Sequence, residues 1–185
     1  MSYNKNLTDK QNEIISENAI REAGKFLITM LVTRHAPFYC AVSEKQEECT
    51  TIPMVTSIDL VHENLIQWAG EAALEIYGQD VRKNLRHKVG SEMKCHSQND
   101  VLDFYEKCFE TDVTMLKMCK SLLFVLATEL KWSREMNYQE ICNFCKSHEK
   151  ICPLLLTIKF NEFPEFSRKE LKRHVHEFKE WCKQA

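Results

Sequence analysis

The chain has 185 residues, 44% of them hydrophobic and 28% charged, with 25 basic residues against 27 acidic ones. That balance is too apolar for a disordered chain, and the net charge of −2 lacks the basic surplus that phosphate binding needs. With only four Gly and four Pro, the turns that a β-sandwich or barrel requires are missing, which points to long helices in one domain spanning residues 1–185.

Helix starts are written as capping boxes, a Ser or Thr followed three residues later by an acid or Gln. They occur at Thr8…Gln11, Thr56…Asp59, Ser97…Asp100 and Ser167…Glu170, with Asn137…Glu140 as an Asn variant. The first helix is expected from Thr8 to His35, with Ile15, Ala19, Phe26 and Met30 on one stripe and Pro37 ending it. Its second half, FLITMLV, is apolar nearly all round and so belongs in a core. Residues 37–55 read as a long loop, a length uncommon inside a compact domain.

A second helix is expected over Ser57–Tyr77, carrying Val61, Leu65, Trp68, Ala72 and Ile76, with Gly78 at its end. A short helix follows through Val81, Leu85 and Val89. The next runs from Gln98 to Glu110 with Val101, Tyr105, Cys108 and Phe109, and then the greasiest stretch, Val113 to Glu135, contains SLLFVLA. That stretch is apolar for about 13 residues and is interrupted by Lys117 and Lys120. A membrane span needs ~20 apolar residues, so a central core helix is expected instead. A helix over Tyr138–Ile151 is interrupted by Pro153; CPLLLTIKF fits either a short helix or an extended stretch. An amphipathic helix over Arg168–Lys183 completes the chain. The expected fold is all-α: a single bundle of seven or eight helices around a buried central hydrophobic helix.

The chemistry-bearing residues are few. Cys142, Cys145, His148 and Cys152 read as a zinc string, yet on one helix they spread over ~15 Å of axis, and a single metal reaches at most two of them. Ile141, Phe144 and Ile151 share their face, which is the pattern of a core stripe. His174 and His176 diverge by ~200° on a basic helix and cannot share a metal there. Cys95-His96 and Cys40…Cys49 lack an activating neighbour. Four scattered glycines make no phosphate loop. The nine cysteines follow no disulfide framework, and the polar start MSYNKNLTDKQNE has no apolar signal core. The expectation is a cytoplasmic, non-enzymatic protein with reduced thiols, no cofactor and no metal.

SQNDVLDFYEKCFETDVTMLKMCKSLLFVLATELK, Ser97 to Lys131, resembles the first homology region of the Bcl apoptosis-regulator family. In that family an amphipathic helix ends in a Phe-and-acid step, and the central hydrophobic helix begins with Asn-Trp-Gly-Arg. Counted from Phe109, those four positions fall on Thr114, Met115, Leu116 and Lys117, where size at Met115 and charge at Lys117 are kept. The resemblance covers about 35 of the 185 residues. The stripe Val61, Leu65, Trp68, Ala69 and Ala72 has the spacing of the family's second-helix motif, without its Gly-Asp register at Gly70-Glu71. The Trp-containing second homology region and the apolar tail anchor have no counterpart. The resemblance implies a regulator of apoptosis or innate signalling that binds a partner's amphipathic helix in a hydrophobic groove. Val101, Tyr105, Phe109 and Met115 would supply its apolar pockets, and Lys117 would answer the partner's Asp. Two other readings stay open: an adaptor subunit of a larger assembly, and a zinc-stabilised Cys-rich module.

Overall fold

The computed structural model describes residues 15–45, 49–54, 58–83 and 98–160. Among these are five α-helices, a one-turn 3-10 helix and a three-stranded sheet. Helix α1 spans Glu17–Thr33, α2 Leu60–Ile76, α3 Gln98–Met118, α4 Lys120–Ser133 and α5 Tyr138–Ser147. The 3-10 helix covers Pro153–Thr157. Thr8, Ser97 and Ser167, the residues after Lys83 in the short third helix, and the helix expected over 168–183 lie outside the described residues.

Helix α1 begins at Ser16, whose hydroxyl accepts from the Ala19 N–H, and ends where Arg34 takes a left-handed conformation, φ 59°, three residues before Pro37. It is the most enclosed helix. It packs against α2, α3 and α4 and against two strands, and it buries Phe26, Leu27, Ile28 and Met30. Its approach to α2 is close because the crossing is made of small residues. A Cβ on Gly24 would stand 2.5 Å from the Ala69 carbonyl oxygen and 2.6 Å from the Ala73 Cβ, so only glycine fits. Across the same crossing Arg21 pairs with Glu71 at 3.2 Å.

The all-α expectation needs correcting. The stretch 37–55 carries two strands, β1 (Tyr39–Ala41) and β2 (Thr50–Ile52), and β3 (Glu135–Asn137) joins them after α4. The order is β2-β1-β3, with both pairs antiparallel and Tyr39 opposite Ile52 on one side and Asn137 on the other. Three residues per strand leave too little alternation to read from sequence. Buried Glu22 of α1, 1% exposed, anchors the sheet: it takes the Lys25 ammonium at 2.7 Å and the Thr51 hydroxyl at 3.1 Å. The chain then returns to the end of α1, where the Lys159 N–H donates to the Arg34 carbonyl at 2.9 Å.

Helix α4, expected to be buried on every side, is buried on one. Leu122, Leu123, Leu126, Ala127 and Leu130 face the core, whereas Ser121, Thr128 and Glu129 face solvent. The helix count is also lower than seven among the described residues, in part because α3 is one long helix. Thr111 and Thr114 do not end it, since each hydroxyl donates back to the carbonyl four residues earlier, Lys107 and Glu110, at 2.8 Å. The break falls at Cys119 instead. Among the described residues no helix is long and apolar enough to cross a membrane.

Candidate interaction surface on helix α3

Helix α3 carries all five residues expected to line a groove. Its inner face buries Cys108, Phe109, Val113 and Leu116 against α2 and the core. Phe109 is 2% exposed, and the Arg82 guanidinium lies over its ring at 5.4 Å from the centroid. Arg82 also pairs with Glu75 at the end of α2 and with Glu110 of α3, which fastens the two elements together. Phe109 is therefore a core residue under a cationic lid, and its reading as the floor of an open pocket is corrected.

Tyr105 is half-buried and meets the edge of Trp68 of α2, with ring centroids 5.7 Å apart. Phe104 extends the cluster, 5.8 Å from Tyr105. Val101 lies in the first turns of α3, but its side chain is outside the described residues. Met115 is half-buried and Lys117 exposed. Because the helix runs unbroken to Met118, these two point about 200° apart, with Leu116 buried between them. A single groove cannot take an apolar wall from Met115 and a charge from Lys117. Their divergence follows from a spacing of two residues on one helix, wherever that helix begins.

What the structure does bring together is a shoulder of α3 between its buried and solvated faces. Phe104, Cys108, Thr111, Met115 and Met118 follow one another at spacings of four and three, the repeat on which a second helix packs. Phe104 and Met115 are half-buried, and Met118 is 70% exposed. Next to this row the solvated side of α3 carries Asp103, Glu106 and Glu110, which with Lys107 and Thr111 line a shallow, open depression. The spacing was visible in the sequence, hidden only by the break expected after Glu110.

Three polar groups are buried without a hydrogen-bond partner on α2, at its C-terminal end and on α3: the Trp68 indole Nε1, the Tyr77 hydroxyl and both carboxylate oxygens of Asp112. Burial raises the Tyr77 phenol and pushes the Asp112 carboxyl up to about 8, so that it is mostly protonated at neutral pH. Asp112 was not singled out by its sequence context, where Thr-Asp reads as a helix boundary.

The cysteine–histidine string does not converge. The Cys145 thiol meets Met30 Sδ at 3.8 Å, the His148 ring bonds the Phe144 carbonyl at 2.8 Å, and Cys152 meets Cys119. Among the described residues no group of three or more His, Cys, Asp or Glu side chains is placed to hold a metal ion. Burial raises the thiols of Cys40, Cys108, Cys119, Cys142 and Cys145, which disfavours the nucleophilic thiolate. Cys40 lies against the Thr51 hydroxyl, and Cys49 accepts from the Ser43 N–H within the β1–β2 connection. Cys95, His96, His174 and His176 are outside the described residues. Comparison with protein-family models, curated proteins and solved structures finds no match to this chain.

Proposed function

We propose that this chain is a non-enzymatic protein-interaction module that receives an amphipathic helix of a partner protein, acting as a Bcl-like regulator of apoptosis or innate signalling. The observation that carries the binding mode is the part-exposed row Phe104, Met115 and Met118 on α3, whose spacing matches what one helix presents to another. Methionines adapt to irregular apolar partners, which suits a surface that accepts a helix rather than a rigid ligand. The acidic side of α3, through Asp103 and Glu106, favours a partner with Lys or Arg flanking its apolar stripe. The regulatory role rests on the resemblance of Ser97–Lys131 to the first homology region of that family.

The test is a titration of the full chain with synthetic amphipathic helices bearing apolar residues at i, i+3, i+4 and i+7 and flanking Lys or Arg, made with and without an Asp, read by calorimetry and by NMR shifts. Met118→Glu and Met115→Glu are expected to weaken binding at least about tenfold, as loss of a central apolar contact does. Lys117→Glu, on the opposite flank, is expected to leave affinity nearly unchanged. Binding that survives both methionine substitutions but fails with Lys117→Glu would restore the groove beside Lys117 and defeat this surface. Saturable binding by none of the peptides would defeat the helix-receiving reading altogether.

A further inference from the structure

Cys119 is the residue at which α3 stops and α4 starts. Its N–H donates to the Leu116 carbonyl at 3.1 Å, and its own carbonyl accepts from Leu123 at 2.9 Å. Cys152 is the N-cap of the 3-10 helix, its carbonyl accepting from Leu155 at 3.0 Å. Thirty-three residues apart in sequence, the two sulfurs stand 3.7 Å from each other, both unlinked and 3% and 4% exposed. A disulfide bond is ~2.05 Å long, so the sulfurs need only approach by about 1.6 Å, which side-chain rotation with a small backbone adjustment supplies. Of the other five described cysteines, Cys145 meets Met30, Cys40 meets Thr51 and Cys49 meets Ser43, although Cys142 lies near enough to Cys145, and Cys49 to Cys40, to act on its charge.

We propose that Cys119 and Cys152 are a redox-active pair that closes into an intramolecular disulfide, with a low-molecular-weight disulfide such as glutathione disulfide as oxidant. Access comes through Cys152. Its 3-10 helix is only five residues long, follows exposed Ile151 and itself carries exposed Leu156, and it opens at far lower cost than α3 or α4. The Cys152 thiolate attacks one sulfur of the small disulfide, forming a mixed disulfide and releasing one thiolate. Before the segment recloses fully, Cys119 loses its proton to solvent and attacks the Cys152 sulfur, and the small thiolate that leaves takes up a proton. Two electrons and two protons have then passed from the pair to the oxidant. In the reduced protein, burial and the adjacent Cys152 sulfur raise the Cys119 thiol, so the closed pair is protected and reacts only on opening. Oxidation ties the α3–α4 elbow to the segment that returns to the end of α1. This inference does not depend on the proposed partner surface.

The experiment equilibrates the full chain in glutathione buffers of rising oxidised fraction, starting both from native protein and from protein refolded in the same buffers. Acid quenching, alkylation and peptide mapping then score every cysteine. The expected result is a Cys119–Cys152 linked peptide appearing at a buffer ratio at which the half-buried Cys49 is still alkylated. It should arise from both directions and reverse with excess dithiothreitol. Cys152→Ala should abolish it, and in the parent protein amide exchange in Pro153–Thr157 should slow when the link forms. If Cys119 and Cys152 stay reduced from both directions while Cys49 already carries glutathione, or pair first with other cysteines, the inference is overturned. A link that forms only on refolding would equally overturn it, since native opening is then not the route.

Discussion

Asp112 offers the sharpest quantitative test, because a carboxyl buried in the middle of α3 with no partner for either oxygen has one large energetic consequence. Its pKa rises from 3.8 to about 8 through desolvation alone. The folded state therefore keeps a proton that the unfolded chain gives up. The stabilising difference is intact below about pH 3.8, shrinks as pH rises, and is fully lost once pH passes the folded value near 8. Each pH unit inside that window is worth about 1.4 kcal/mol, so the group alone should take about 3 kcal/mol from the stability between pH 5 and 7. Asp112→Asn keeps the shape and removes the titration. At pH 5 ionisation of the unfolded chain already takes about 1.6 kcal/mol from the parent, which the amide's own unpaired burial roughly offsets, so the two should differ little. At pH 7 the variant should be more stable by about 2–4 kcal/mol, after allowing for the amide's own unpaired burial. Urea unfolding followed by circular dichroism at pH 5, 6 and 7 and constant ionic strength measures this, and the histidines cancel when parent and variant are subtracted. A difference that does not grow with pH, or a variant less stable than the parent at pH 7, would refute the claim that Asp112 is buried and unpartnered.

Gly24→Ala forces a methyl into the Ala69 carbonyl and the Ala73 side chain, and should cost about 1–3 kcal/mol despite alanine's better helix propensity; a stabilised variant in thermal unfolding would mean that α1 and α2 do not cross there. Leu126→Ala removes a fully buried side chain of α4 and should cost about 2–5 kcal/mol in denaturant unfolding, against a near-neutral Thr128→Ala on the exposed side of the same helix. Asn137→Ala breaks a reciprocal box in which Asn137 Oδ1 accepts from the Glu140 N–H at 3.1 Å and Glu140 accepts from the Asn137 N–H at 2.8 Å. The loss should be about 0.5–2 kcal/mol, with faster amide exchange confined to the first turn of α5.

The elements that were legible in the sequence are those whose signal is local. Asn137 and Glu140 form their capping box because both partners lie within one helical turn. Of the stripe Val61, Leu65, Trp68, Ala72 and Ile76, the middle three turn inward because a period of 3.6 residues aligns them, whereas Val61 is 50% exposed and Ile76 half-buried. FLITMLV reads as core and is the heart of α1. The second helix is described from Leu60, with Asp59 as its N-cap and the Asp59 carboxylate taking the His62 N–H; Thr56 and Ser57, where its start was expected, lie outside the described residues. Scarce glycine and proline also held good as guides to a largely helical chain.

Tertiary structure decided what depends on residues distant in sequence. Tyr39 pairs with Asn137 across 98 positions of chain, and strands of three residues have no alternation of their own to announce it. Thr111 and Asp112 look like a helix end; the threonine instead satisfies its hydroxyl on the helix, and packing by α2 and the core carries Asp112 inside. That single decision moves the break to Cys119 and sets Phe104, Cys108, Thr111, Met115 and Met118 on one continuous row. It also places the Cys119 sulfur against Cys152. Local sequence sets which way each helix's apolar side faces, because caps and periodicity act within a turn or two. Where a helix stops, which polar group is buried and which thiols meet are settled by whichever surfaces the other elements cover, and that free energy is absent until they pack.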